Sequence, residues 1–256
     1  IEKGFSLEKV SSTLKASRII RSRVAFEFFV ITLGGEKRIK PAFFNFEKPL
    51  PVFSVAWMVS GSKFYMAPVS VTIPEGFNRE QIADTFTQKL PNFKSEQFLL
   101  QTAGQEGYLF PDTYFFLNTD SEKEAIKSLT ENYEKKIKPL RPKISATGRT
   151  EAQIITMASI IEGEAKGDED RALISGILWK RLKIGMALQA DVAPITYKQR
   201  GLPENPIGNP GLKAIEAAIY PEASSYLYYL HDQDGNIHYA KNFTEHTANK
   251  RKYLNN

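Results

Sequence analysis

Met157–Leu182 reads MASIIEGEAKGDEDRALISGILWKRL: an almost uncharged run ending in a glutamate, a glycine and a second glutamate, then an acidic break and a second apolar pattern. Just upstream, Thr150 and Gln153 form a capping-box pair, which satisfies two free amides at a helix start. Ile154, Ile155, Met157, Ala158, Ile160 and Ile161 follow, apolar on nearly every side, as in a buried helix. Glu162 lies four residues after Ala158 and seven after Ile155, so it faces the same side. Desolvation and the negative end of the helix dipole both favour a carboxylate that keeps its proton there, as a general acid must. The structural alternative is a carboxylate paired with a buried arginine. Glu164, roughly 200° farther round a helix of ~3.6-residue period and past a glycine expected to end it, reads as a surface residue. A second helix is expected from about Asp168, with Asp170 near its start, Arg181 near its end, a core stripe of Ile174, Ile177, Leu178 and Leu182, and Gly185 as its stop.

Toward the N-terminus an echo emerges. IEKGFSLEKVSSTL (1–14) lies in register with IPEGFNREQIADTF (73–86), each reading as a strand end, a glycine turn and a helix capped by Ser6 or Asn78. Between them, residues 38–64 suggest an extended aromatic segment, a proline-rich turn and a short helix ending at Gly61. GQEGYLFPDTYFF (104–116) carries Pro111 and cannot be helical throughout, so turn, extended piece and turn are expected. Residues 121–138 read as an exposed Lys/Glu-rich helix, and PLRPK as a linker. Toward the C-terminus, GNPG (208–211) reads as a turn into a helix at Lys213, and SYLYYLHDQDGNIHYA as a hairpin turning at Asp234-Gly235. A short helix from Thr244 closes the chain.

Composition narrows the chemistry. With 256 residues, 42% of them hydrophobic, the chain can build a substantial core, and its longest apolar run, Val24–Leu33, is too short for a membrane span and carries Glu27. Absence of cysteine removes disulfides, thiolate metal sites and cysteine nucleophiles. A net charge of +5 suits a polyanionic neighbour, but the basic residues are scattered rather than striped, which argues against a nucleic-acid binder. The start at Ile1, with no basic leader, suggests that an upstream piece has been removed. His231, His238 and His246 are spaced for no shared helix face and read as surface or hydrogen-bonded residues. No serine has a nucleophile-elbow context, and no glycine-rich phosphate loop follows a strand. Acid/base chemistry by carboxylate remains.

EGYLFPDTY (106–114), ASIIEGEA (158–165), RLKIGMALQAD (181–191), NPIGNPGLKAIEAAIYP (205–221) and YLYYL with GNIHYAKNFTEH, in this order, resemble the YceG-like family of endolytic peptidoglycan transglycosylases. The resemblance implies an α+β fold: small LysM-like units at the N-terminus, in residues 1–65 and 66–95, then a catalytic domain over 96–256. It implies cleavage of the β-1,4 bond between N-acetylmuramic acid and N-acetylglucosamine, giving 1,6-anhydromuramyl ends, with Glu162 as acid and then base. Glu106, Asp112 and Asp191 are candidates for positioning substrate or for a second carboxylate. Gln189 and Asn209 are candidates for hydrogen bonds to sugar, and Tyr108, Phe110 and Tyr114 for stacking on it. No metal or organic cofactor is expected. Glycan strands, and peptidoglycan synthases or the elongation and division machinery, are the implied partners, and the implied place is the outer face of the bacterial cytoplasmic membrane, reached through an N-terminal anchor outside this chain. One departure stands out: DVAPITYKQRGLP passes almost directly between blocks that a longer loop separates in the family. Either the loop is truly shortened, which would weaken substrate binding, or residues are missing between about Tyr197 and Lys198; the second is expected, because TYKQRGLP resembles the far end of that loop.

Overall fold

Polar caps start several of the helices, and they do so where the sequence places them. The computed structural model describes residues 1, 4–35, 39, 44, 46, 50–61 and 68–254. Its chain divides into two units, Ile1–Ser70 with Phe115–Asp120, and Val71–Tyr114 with Ser121–Asn256. In the smaller unit, α1 (Leu7–Ala16) begins at Ser6, α2 (Arg23–Thr32) at Ser22, and α3 (Val52–Ser60) ends at Gly61. Val10, Leu14, Phe26, Val30, Val55 and Val59 form their shared core. The extended aromatic segment expected before α3 lies largely outside the described residues.

β1 (Val69–Thr72) pairs with β2 (Thr113–Phe116), and the division between units falls within both strands. After β1, Gly76 turns at φ +82°, and α4 (Arg79–Thr87) starts with a full capping box between Asn78 and Gln81. Gly4 has φ +89° at the matching position ahead of α1, so the echo holds for the turn and the capped helix. A strand before Gly4 falls on residues outside those described. The second copy belongs to the larger unit, where Gly76 N–H donates to the Asn209 carbonyl at 2.8 Å.

α5 (Ser95–Gln101) and α6 (Glu122–Ile137) follow. α6 is not wholly exposed, since Ala125, Leu129, Tyr133 and Ile137 bury one stripe. The PLRPK linker is a correction: a 3-10 turn, Lys138–Leu140, runs into α7 (Arg141–Ala146). Both prolines occupy first-turn positions, where a missing N–H costs nothing.

α8 (Glu151–Glu164) buries eight consecutive residues, 154–161, and is the centre of the larger unit's core. Burial of each large side chain there contributes about 1.5–3 kcal/mol, so the helix is held by tertiary packing on all sides. α9 (Arg171–Lys183) and α10 (Leu212–Ile219) pack against it. β3 (Tyr228–His231) and β4 (Ile237–Ala240) pair antiparallel with Tyr229 opposite Tyr239, as the alternating pattern requires, and α11 (Phe243–Tyr253) lies against both. The whole is an α+β fold.

Candidate active site

The last two glutamates of α8 meet different surroundings. Glu162 has a side chain only 6% exposed, and both of its oxygens are occupied: Oε1 accepts from Arg171 Nη2 at 2.7 Å and Oε2 from the Gly211 amide at 2.9 Å. Arg171 also pairs with Asp168, which in turn holds Lys213, and Glu75 Oε2 stands 4.0 Å from the same guanidinium. Burial, and then the neighbouring Glu162 charge, push the Glu75 carboxyl above its ordinary value. The reading of Glu162 as a carboxylate paired with a buried arginine is thus the one the packing realises.

Two features keep this knot tight. GNPG does lead into α10, but it also presses on the turn at Glu75-Gly76: a side chain at Gly208 would collide with the Gly76 carbonyl, and one at Gly211 with the Glu75 carboxylate. Asn209, fully buried, then ties three segments together. It accepts from Leu109 N–H at 2.9 Å and donates to the Phe77 carbonyl at 2.9 Å and to Glu106 Oε1 at 2.7 Å.

Glu164 points the other way, and its expected place on the surface is a correction. Gly163 does not end α8; the helix runs through it to Glu164. A side chain at 163 would come within 2.7 Å of Val192 Cγ1, so glycine is what lets the 189–192 segment close on the last turn of the helix. Glu164 is half-buried in the wall of a cavity of about 550 Å³. Its Oε2 accepts from the Tyr229 hydroxyl at 2.8 Å and its Oε1 from Val192 N–H at 3.3 Å. Burial pushes its carboxyl above the ordinary value, and the Asp191 charge adds to this against the two hydrogen bonds. Tyr229, half-buried and facing Glu164, is held well above the ordinary tyrosine value, so it keeps its proton and donates.

Gln189 and Asp191 line the same cavity, Gln189 in the left-handed region at φ 48°. The Tyr197 hydroxyl donates to Asp191, which holds that phenol up to about 12. The rest of the wall is Arg181, the β3 residues Tyr228–His231 and one face of α11.

The other candidates are elsewhere. Glu106 accepts from Arg79 N–H and from Asn209 and belongs to the interior network. Phe110 and Tyr114 are buried, Tyr114 donating to the Phe110 carbonyl at 2.5 Å, and Tyr108 packs edge-on against Tyr133. Asp112 accepts from its neighbour Thr113 N–H and from Asn132. None of these, nor Asn209, is among the residues that line the Glu164 cavity. Proline and glycine in EGYLFPDTY shape a turn whose aromatic rings face inward. His246 is also corrected: it is buried, with Nδ1 unpartnered among the described residues, while His238 does hydrogen-bond to Asp232.

Arg181, Tyr229 and His246 were not among the expected site residues. Strand alternation in YLYYLH, which puts Tyr229 and His231 on one face, was the available signal. A second hollow, of about 610 Å³, is lined by Arg149, which lies 3.9 Å over the Trp179 ring, and by Gln153, Lys180 and Lys183; it holds no carboxylate.

Comparison with known proteins bears on this geometry. The family model described as the YceG-like family matches residues 1–195 and 195–252, two stretches that meet close to the expected gap in the loop. A protein of Bacillus subtilis named endolytic murein transglycosylase is 27% identical over 304 aligned positions, covering 99% of this chain and 84% of its own. One of Streptococcus pneumoniae with the same name is 25% identical, and this chain spans 58% of its length. The crystal structure of a yceG-like protein from Listeria monocytogenes superposes with a TM-score of 0.64 at 27% identity, over 97% of this chain and 96% of that one. With its model matching both halves of the sequence, the chain belongs to the YceG-like family.

Proposed function

We propose that the chain is an endolytic murein transglycosylase that cleaves the β-1,4 bond after N-acetylmuramic acid and leaves 1,6-anhydro ends, with Glu164 as its acid and base. The names of the Bacillus and Streptococcus relatives support the activity. The observation that carries the residue is Glu164's position: a carboxyl raised by burial, with a hydrogen-bond donor on each oxygen, in the wall of a cavity large enough for sugar rings. Protonated Glu164 gives its proton to the glycosidic oxygen as the bond to C1 breaks. The carboxylate then takes the proton of the C6 hydroxyl as that oxygen closes on C1. Atoms balance without water, and one carboxyl serves both steps because the nucleophile is within the substrate. Asp191, a second negative charge on the same cavity, can offset the positive charge that develops on the ring, and Gln189 can hydrogen-bond an acetamido group.

Glu162, chosen by helical phase and by the resemblance, has a different part in this reading. Its oxygens are committed to Arg171 and Gly211, and it anchors the end of α8 from which Glu164 projects. The strand, turn and capped helix at 69–87 are read as the LysM-like part of the fold. A murein substrate places this work outside the cytoplasmic membrane. Among the described residues no helix is long and apolar enough to cross one.

Mass spectrometry of glycan strands incubated with wild type, Glu162→Gln and Glu164→Gln tests the reading. Anhydro-ended fragments from wild type and from Glu162→Gln, but not from Glu164→Gln, are expected. Reducing ends would mean hydrolysis, with Asp191 as the second carboxylate of the cavity. Binding without cleavage by wild type would mean a wall-binding module.

A further inference from the structure

Three cations, Lys166, Arg181 and Lys250, line the Glu164 cavity against two carboxylates, Glu164 and Asp191. Arg181 is the unusual one. It is 4% exposed and has no carboxylate in ion-pair range among the described residues. Its Nε and Nη1 donate to the carbonyls of Leu227 and Leu188, which leaves Nη2 without a hydrogen-bond partner among the described residues. A buried guanidinium costs several kcal/mol unless charge or hydrogen bonds compensate it. Here two carbonyls and the faces of Tyr228 and Tyr229, 5.3 and 5.9 Å away, do part of that work.

The surroundings of Arg181 toward α11 carry the same sign. His246 stacks on Tyr228 with ring centroids 5.1 Å apart, buried, its Nδ1 unpartnered. Burial, then the charges of Lys250 and Arg181, hold its imidazole below the ordinary histidine value, so this histidine adds no positive charge near neutrality. Lys250 on α11 and Lys166 after α8 are exposed and make no ion pair among the described residues. In this cavity Arg181 Nη2, His246 Nδ1 and His231 Nε2 have no hydrogen-bond partner among the described residues, with the Lys250 charge toward His246 and the Lys166 charge toward His231.

We propose that this cavity binds a carboxylate of the peptide that the muramic sugar carries, with Arg181 as the inner contact and Lys166 and Lys250 as the outer ones. The proposal rests on the reading of Glu164 as the acid of a glycan site and extends it. The glycan backbone of peptidoglycan is neutral where its lactyl groups are amide-linked, and its carboxylates are on the peptides. A neutral strand gives no reason for an unpaired buried arginine beside the cleavage point; a peptide carboxylate does. A charge-assisted contact from Arg181 Nη2 to a carboxylate in a half-closed cavity also fixes orientation, so it would set which sugar faces Glu164.

The test uses Glu164→Gln, which on the proposed function binds without turnover, titrated with uncross-linked glycan strands before and after their peptide carboxylates are converted to carboxamides. Conversion is expected to weaken binding at least about tenfold, one charge-assisted contact being worth roughly 1.5–3 kcal/mol. Adding Lys166→Gln and Lys250→Gln, both at exposed positions, is expected to shrink that difference by about two- to fivefold without abolishing it, since Arg181 remains, and to leave the Kd for the amidated strands within about twofold. Equal binding of the two strands, or a difference that the lysine substitutions leave wholly unchanged, overturns the proposal while leaving the glycan site intact. Loss of binding to both strands overturns the reading of the cavity as a glycan site, and this proposal with it.

Discussion

Glu162 and Glu164 are two residues apart on one helix, and their sides of α8 are opposite in kind. On the Glu162 side the charges are paired, with an arginine, a backbone amide, a second acid on the arginine and a lysine on that acid, although Arg171 Nε has no hydrogen-bond partner among the described residues. Facing the cavity, Glu164 has only neutral donors, a phenol and an amide, and the buried cation nearby is left without a carboxylate of its own. A closed ion-pair knot gives rigidity, and an open, incompletely satisfied cavity gives chemistry. The knot fixes where the helix ends, and the cavity uses that fixed end to aim a carboxyl.

Activity breaks the comparison most sharply. Glu164→Gln is expected to lower kcat by roughly 10²–10⁴, the usual contribution of a positioned acid or base, whereas Glu162→Gln retains cleavage within about tenfold at a temperature where it is folded, because no proton passes through it. The reverse pattern would return the acid to Glu162. A melting series separates chemistry from folding. Glu164's folded-state carboxyl lies above its unfolded value, so between the two the folded chain holds a proton that the unfolded chain has lost, and stability falls as pH rises. Glutamine abolishes that slope. Relative to wild type, Glu164→Gln should therefore gain in Tm from acidic toward alkaline pH.

Stability breaks it from the other side. Glu162→Gln leaves the Arg171 guanidinium with Asp168 and a half-exposed Glu75 as its only acids among the described residues, and is expected to cost about 3 kcal/mol. Adding Arg171→Met should recover a good part of this, since the cost is that of an uncompensated buried charge rather than of a lost contact. Urea denaturation of the single and double variants checks it. If the double variant is the less stable by the full sum of both single effects, the knot is not a coupled unit.

The fold was largely legible because its signals are local. Capping pairs at Asn78 and Thr150, the all-round apolar run of α8 and the Asp234-Gly235 turn each specify an element within a few residues. The site was legible in part. Helical phase separated Glu162 from Glu164 and showed that one goes inward, but inward here means toward Arg171, nine residues on, and toward an amide at Gly211. No period in α8 reveals partners that other segments bring. The cavity is assembled from α8, the 189–192 segment, a hairpin and α11, so the burial that raises Glu164 comes from residues far along the chain. EGYLFPDTY was illegible for the same reason: Phe110 and Tyr114 are buried in a turn that packs inward, and packing is not visible in the motif.

Gly163 joins the two sides and gives an intermediate effect. Gly163→Ala would place a methyl 2.7 Å from Val192 Cγ1, and Val192 carries the amide that Glu164 accepts from. Helix propensity alone favours alanine by roughly 1 kcal/mol, yet overpacking of this kind costs about 1–3 kcal/mol, so a small net loss of stability is expected. Activity should fall more than stability does, because the 189–192 segment that must give way carries Gln189 and Asp191 into the cavity. Full activity in this variant would mean that the segment's position does not matter to cleavage.

Tyr229→Phe should have the smallest effect and tests the open side most finely. The phenol donates to Glu164 Oε2 and stabilises the ionised carboxyl, acting against the burial that raises it. Its loss removes one hydrogen bond worth roughly 0.5–1.5 kcal/mol and leaves the ring in place, so kcat at the optimum should drop less than about tenfold. Direction is the informative part. With the donor gone, Glu164 holds its proton to higher pH, and as the acid it then works to higher pH, so the alkaline limb of the kcat profile should move upward. A limb that moves downward would mean that the phenol holds the proton on Glu164. An unmoved limb would mean that the group titrating there is not Glu164, and since Glu162 has no contact with Tyr229 it would single out the ion-paired side of the helix as the one that carries the chemistry.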